Sequence, residues 1–282
     1  MNGASTLSIA SSLRQRALTA FILGPLVLAA VLWLPTPGFA LFLGLVTLGA
    51  AWEWAPLAGL ERRYDRIGYL AFIGILLLCL WLLPGLRLWV MGVAAVWWIL
   101  QALHLARLRE VTPKAGVQVS DLGSGVLVLA APWAALVALH QIDPQGPVLV
   151  LFLMALVWTA DSLAYFVGRR FGRIKLAPRI SPGKTREGVY GALVGAVLWG
   201  LLYGWIRSIG LSGTLLAALL CVLTVLVSVV GDLYESLLKR GRGLKDSSHL
   251  LPGHGGLLDR VDSLTAAAPV FVLGLAVIGD PP

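Results

Sequence analysis

The sequence predicts an all-α, polytopic integral membrane protein with about nine transmembrane helices and a cytosolic N-terminus. Hydrophobic residues make up 58% of the 282 and charged residues only 13%, about half the charged share of an ordinary soluble domain. The apolar residues fall into runs near the length that crosses a bilayer as a helix, about 20 residues. Positive charge is distributed unevenly between the connecting segments, which fixes the orientation.

The spans can be justified in order. The first sixteen residues are Ser-rich, with Arg14 and Arg16 before an apolar run at about 17–34. That run is longer than the core of a signal peptide and has no clear small-x-small cleavage site before Pro35, so it reads as an uncleaved first span. Pro-Thr-Pro-Gly at 35–38 turns the chain into a second span at about 39–60. A third at about 67–84 ends on Pro84-Gly85, and a short fourth occupies about 88–104. The fifth and sixth, about 122–140 and 148–168, are separated by Asp-Pro-Gln-Gly-Pro at 143–147. The last three are expected at about 189–206, 214–238 and 261–278. Cys79 and Cys221 lie inside apolar runs and read as buried small side chains.

With the N-terminus inside, every Lys and Arg except Arg87 and Arg207 falls on the inner face. The net charge of +8 therefore belongs to one side of the membrane. The inner segments after the sixth and eighth spans are the most basic, and such a surface attracts phosphates and anionic lipid heads.

Acidic residues at membrane depth are costly and usually line a functional cavity. Glu53, in Ala-Ala-Trp-Glu-Trp, reads either as an interfacial helix-end charge or as part of such a cavity. Asp161, Tyr165 and Gly168 recur near helical spacing before a basic loop. Asp232, Ser236 and Lys239 follow a 3-4-7 pattern and project on one helix face. Glu235 reads as a surface i,i+4 partner of Lys239. Asp259 and Asp262 are three apart at the start of the ninth span and share a face. An oxygen-rich cluster of this kind suits Mg²⁺, which takes one or two carboxylates plus substrate phosphates.

Two loops have the character of anion sites. In Pro252-Gly253-His254-Gly255-Gly256 the glycines let backbone N–H groups turn toward an anion. Arg179 to Gly188, Arg-Ile-Ser-Pro-Gly-Lys-Thr-Arg-Glu-Gly, is a basic Pro/Gly turn leading into a helix, where free amides and basic side chains make a phosphate cradle. Its spacing is not that of a Walker A loop.

The stretch from Ser236 to Ser263 resembles the signature of the phosphatidate cytidylyltransferase, or CDP-diacylglycerol synthase, family. That signature falls here on Ser236, Lys239, Arg240, Lys245, Asp246, Pro252 to Gly256, Asp259, Arg260 and Asp262. Asp161 to Gly188 is similar to a second stretch of the family, with Asp-x-x-Ala-Tyr, Gly-x-x-Phe-Gly and Ser-Pro-x-Lys-Thr-x-Glu-Gly. Gly183, Arg186 and Ser248 depart from the usual residues, and no carboxylate is lost. The first 120 residues match only as hydrophobic spans. The resemblance thus divides the chain into N-terminal spans, 1–120, and catalytic spans, 121–282, with cytosolic loops at 169–188 and 239–260.

The resemblance implies that CTP and phosphatidate give CDP-diacylglycerol and pyrophosphate with Mg²⁺, in the inner membrane of the cell with the site facing the cytoplasm. Asp232 and Asp259 would hold the metal, and Asp262 and Asp246 would hold its waters or a basic neighbour. Lys239, Lys245, Arg260, Lys184 and Arg186 would offset the triphosphate charge. Ser236 would join the catalytic set, and Ser181, Thr185, His254, Gly255 and Gly256 the substrate-binding one. No nucleic-acid partner is expected, and a homodimer is left open. The competing readings are a CTP-dependent polyprenol or dolichol kinase and an ion-coupled transporter. The complete Pro-Gly-His-Gly-Gly and Asp-Arg-x-Asp set favours the cytidylyltransferase. A transporter would be expected to break its helices near the bilayer middle. A CDP-alcohol phosphotransferase lacks support, because its Asp-Gly-x-x-Ala-Arg motif is missing.

Overall fold

The computed structural model describes Thr19, residues 21–248, Leu250 and residues 255–278. His249 and His254 lie outside the described residues, as do Pro252 and Gly253. Nine helices are seen among the described residues. A shorter one, α1 (Phe21–Trp33), precedes eight that are long and apolar enough to cross a membrane. These are α2 (Thr36–Leu57), α3 (Arg63–Leu82), α4 (Gly85–Arg107), α5 (Val119–His140), α6 (Gly146–Phe171), α7 (Arg186–Arg207), α8 (Gly210–Gly241) and α9 (Leu258–Val277). Every expected span has its helix, and the short fourth one proves to be 23 residues long.

Prolines and glycines punctuate the chain where the backbone requires it. Pro35 caps α2 in an extended conformation, and Pro84 stands before α4. Where α7 gives way to α8, Ser208 adopts a left-handed φ of 51° and Gly210, the first residue of α8, one of 71°. From the sequence, residues 169–188 read as a loop. Part of it is a two-stranded antiparallel hairpin, β1 (Lys175–Ala177) and β2 (Ser181–Thr185), which leads directly into α7. Strands this short carry no readable alternation, so a Pro/Gly turn was all the pattern could show.

The core is built on α5 and α9, which pack on each other. Ala130, Ala131, Ala134 and Ala135 of α5 and Ala266, Ala267 and Ala268 of α9 are buried. Small side chains let membrane helices approach closely. The same device joins α7 to α8, where a Cβ on Gly200 would run into the backbone of Ala218. One continuous cluster of buried apolar side chains contains Trp54, Trp98, Trp133, Tyr234 and Phe271. Cys221 is buried as expected, whereas Cys79 is exposed on α3. A face of α3 open in this way is where a membrane helix meets lipid, so its sulfur needs no place in the core.

The two arginines that the sequence set apart, Arg87 near the start of α4 and Arg207 at the end of α7, both bond glutamines of the segment between α5 and α6. Arg87 is buried and donates to the carbonyl of Leu80 at 2.8 Å and to Gln141 Oε1 at 2.6 Å. Arg207 donates to Gln145 Oε1 at 2.5 Å.

Candidate functional site

The opposite end of the bundle gathers the acidic and basic residues singled out above. On α8, Asp232 and Ser236 are one turn apart and share a face, and Ser236 Oγ lies 3.4 Å from Asp232 Oδ1. The other carboxylate oxygen, Oδ2, meets Lys184 Nζ at 2.5 Å. Lys184 comes from β2, so the hairpin brings the second motif onto the first. Both side chains keep about a quarter of their surface open, 26% and 25%. Asp262 of α9 is within electrostatic reach of Asp232, Lys184 and Lys239. Asp161 of α6 is within reach of Lys184 and Asp232, and it accepts from Ser263 Oγ at 3.5 Å. Three helices and a hairpin thus present charge to one place, and the site is open where Asp161 is exposed on α6.

A second group sits beside it. Lys239 is one turn beyond Glu235 and bonds its Oε1 at 3.0 Å, and it also reaches Asp259 Oδ1 at 2.5 Å. The pair with Glu235 was expected on the surface. It is buried instead, because α8 continues to Gly241 with α9 packed along it. Glu235 Oε2 is buried with no hydrogen-bond donor among the described residues. Lys239 is on the expected helix but points to Glu235 and Asp259 rather than to Asp232.

Asp259 is heavily engaged. Besides Lys239, it accepts from the amide of Gly256 at 2.8 Å and from the amide and hydroxyl of Ser247 at 3.0 and 3.1 Å. This changes the reading of the glycine turn. The Gly256 N–H was expected to face a substrate anion, but Asp259 holds it. The next two amides are held by Glu53 of α2, which accepts from Leu257 N at 2.9 Å and Leu258 N at 2.7 Å. Glu53 is 1% exposed, so it is not an interfacial charge. Nothing in local spacing links residue 53 to residue 257. The only signal was a carboxylate inside an apolar run.

The remaining residues divide between structural and open positions. Thr185 caps α7, its Oγ1 accepting from Gly188 N at 3.2 Å, and is buried. A substrate-binding role was expected for it, yet its hydroxyl already serves the helix start. Ser181 begins β2 opposite Ala177. Arg186, Lys245, Asp246 and Arg260 are exposed at this end of the bundle. Gly255 adopts a φ of 80°, and a Cβ there would meet Asp259 Oδ2 at 2.9 Å.

Comparison with known proteins gives a consistent result. The sequence profile of the cytidylyltransferase family matches residues 14–278. A protein of Pseudomonas aeruginosa named phosphatidate cytidylyltransferase is 47% identical over 267 residues, covering 95% of this chain and 98% of its own. One of the same name from Haemophilus influenzae is 40% identical, covering 92% and 97%. Another from Brucella abortus is 37% identical over 96% of both chains.

Proposed function

The chain belongs to the cytidylyltransferase family, and on that premise we propose that it transfers the cytidylyl group of CTP to phosphatidate. The products are CDP-diacylglycerol and pyrophosphate. The structural observation that carries this reading is the ion pair between Lys184 and Asp232. It joins two motifs far apart in sequence into one site at one end of a membrane bundle. The choice of phosphatidate as acceptor rests on likeness, over nearly the whole length, to proteins that bear this activity as their name.

In the reaction, an oxygen of the lipid phosphate attacks the α-phosphorus of CTP. The bond to the bridging oxygen breaks, and pyrophosphate leaves. Two anions must approach each other, so positioning and charge neutralisation dominate. Lys184 is the partly open cation nearest Asp232 and serves the phosphates. Arg186, Lys245 and Arg260 add exposed positive charge. Lys239 is buried between Glu235 and Asp259 and holds that pair in place. The lipid phosphate reaches the site where Asp161 opens on α6, with the acyl chains left in the bilayer. Ser236, against Asp232, orients that carboxylate.

The donor set fits a hard divalent cation at Asp232, with Asp262 and Asp161 in electrostatic reach. Among the described residues no three His, Cys, Asp or Glu side chains form a cage. Mg²⁺ is commonly held by one or two carboxylates and completed by substrate phosphates and water. Asp259 joins this set only in a state where Lys239 or Ser247 has let go, since Lys239 and the amides of Ser247 and Gly256 now bond its oxygens and the Ser247 hydroxyl, shared with Glu53, lies beside them. When bound, Mg²⁺ would neutralise charge on the reacting phosphates.

The charge bias of the loops supports a cytosolic N-terminus and a site on the cytoplasmic side of the inner membrane. The described helices run unbroken through their middles, unlike those expected of an ion-coupled transporter. The decisive test is purified protein with phosphatidate, Mg²⁺ and CTP labelled at the α- or γ-phosphate. Label from the α-position should enter the lipid and γ-label should leave as pyrophosphate. Transfer of γ-label to a polyprenol would replace this reading with a kinase.

A further inference from the structure

We propose that Glu53 is a positioning residue for the reaction: from α2 it fixes the start of α9 and, through it, the place of Asp259. The inference rests on the cytidylyltransferase reading, and it assigns a role to the N-terminal half of the chain. Glu53 is buried and has four donors within hydrogen-bond distance, one of them shared with Asp259. They are the amides of Leu257 and Leu258 at 2.9 and 2.7 Å, Ser248 Oγ at 2.5 Å and Ser247 Oγ at 3.1 Å. All four lie in the segment that precedes α9 or in its first turn.

A helix start is usually capped by a neighbour in sequence. Here the cap comes from about 200 residues upstream, and it is a carboxylate. A buried carboxylate costs several kcal/mol unless it is fully hydrogen-bonded. The four donors and the positive end of α9 meet that condition. Asp259 and Glu53 also share Ser247, whose hydroxyl lies 3.1 Å from an oxygen of each. It can donate to only one at a time, so the two carboxylates are coupled through a single proton donor. Gly256 lies at the junction. A Cβ there would collide with Ser247 Oγ and stand 2.6 Å from Glu53 Oε2. One turn before Glu53, a Cβ on Gly49 would come within 2.9 Å of Leu257. The helix start is therefore docked closely on α2, with a Cβ at Gly256 meeting Ser247 and Glu53 and one at Gly49 needing the Leu257 side chain to shift.

Consequently the three amides from Gly256 to Leu258 are held by protein carboxylates rather than left for a phosphate. Without Glu53, two of them become unpaired donors beside Asp259. They would compete with Lys239 and Ser247 for its oxygens. Asp259 would turn, and Lys239 with it, while Lys184 and the other groups around Asp232 would stay.

The test uses the full chain purified in detergent. Glu53→Gln keeps the size and places an amide against two donors. Its kcat should fall roughly a hundredfold, as for misplacement of reacting groups by about 1 Å, while KM for CTP changes by less than about threefold. Hydrogen exchange in the peptide covering residues 255–264 should quicken, with peptides of α5 unchanged. Glu53→Asp keeps the charge at the helix end and should recover part of kcat. Asp121→Asn breaks the ion pair of the buried Asp121 with the half-buried Lys114 and serves as the control for general weakening. It should lower the melting temperature without the selective exchange at residues 255–264. If Glu53→Gln does not yield folded protein, Ser248→Ala removes one donor and should show the same pattern at about a few-fold. Wild-type kcat in Glu53→Gln, or equal losses in Gln and Asp variants with exchange matching Asp121→Asn, would overturn the proposal. Wild-type turnover, measured alongside, separates this from failure of the activity reading. Wild type inactive on CTP and phosphatidate sinks that reading, while the exchange comparison still decides whether Glu53 holds α9.

Discussion

The helix starts of α7 and α9 carry the two segments that read as anion cradles, and they are finished differently. At α7 the cap is local, Thr185 accepting from Gly188 three residues on. The residue before it, Lys184, turns away from the helix and meets Asp232 of α8. At α9 the first amides are held by Asp259 and by Glu53 from α2. A local cap can be altered without moving a neighbouring helix. A cap from a distant helix ties the position of catalytic groups to the packing of the whole bundle. The first segment is therefore suited to deliver a cation, and the second to hold a carboxylate still.

Substitutions at the two segments should separate these roles. The largest effect is expected at Asp232, which Lys184 meets and which lies within electrostatic reach of Asp262 on α9. Asp232→Asn keeps the size, removes the partner of Lys184, and should cut kcat by about a thousandfold. Liponucleotide formation by monodisperse mutant protein, over a range of Mg²⁺ concentrations, measures it. Near-normal turnover with an unchanged Mg²⁺ requirement would exclude Asp232 from the metal site. Asp259→Asn in the same assay tests whether that carboxylate also reaches the cation.

At the α9 start, Gly256→Ala should have the next largest effect, because the added methyl meets Ser247 and Glu53 rather than open space. Overpacking of this kind costs about 1–3 kcal/mol. It should appear both as a lower melting temperature in detergent and as a reduced kcat. A variant that kept full activity would show that this junction can shift without moving Asp259.

At the α7 start, Lys184→Ala should mainly raise the KM for CTP. A charge-assisted hydrogen bond is worth about 1.5–3 kcal/mol, which corresponds to roughly tenfold or more in affinity. Its kcat should change less, if the lysine holds phosphates already present in the ground state. A collapsed kcat with unchanged KM would place the lysine at the transition state instead.

Much of this comparison was legible in the sequence, and the rest was hidden for definite reasons. The spans were readable because each is an apolar run near bilayer length. Helix ends were less so. α8 runs from Gly210 to Gly241, because Asp232, Glu235 and Lys239 continue the helix although hydropathy no longer favours it. The contact of Ser236 with Asp232 follows from i,i+4 spacing, and so does the pair of Glu235 and Lys239. Burial of that second pair does not, because it depends on where α9 packs. The ties of Lys184 to Asp232 and of Glu53 to Leu257 join residues far apart in the chain. No periodicity within one helix can announce them. Glu53 could be flagged only as a charge inside an apolar run, and Thr185 was assigned to substrate because the motif around it is.

The smallest effect is expected at that threonine. Thr185→Val keeps the branched shape that packs against Gly168 and Gly172, where an added Cβ would lie 2.8 Å from the Thr185 hydroxyl oxygen. It removes the acceptor for the Gly188 amide. Loss of such a cap costs about 1 kcal/mol. Because the hydroxyl is turned into the helix start and is buried, the loss should fall on stability. The melting temperature in detergent should drop by a few degrees, and KM for CTP should stay within about twofold of wild type. Thr185→Ser retains the acceptor and should recover most of the cap. The β hairpin and the Lys184–Asp232 pair should survive both changes, since neither rests on that hydroxyl. A large rise in KM in the valine variant, with the serine variant normal, would return the Thr185 hydroxyl to the substrate. The α7 start would then be an anion site after all, and its contrast with α9 would fail.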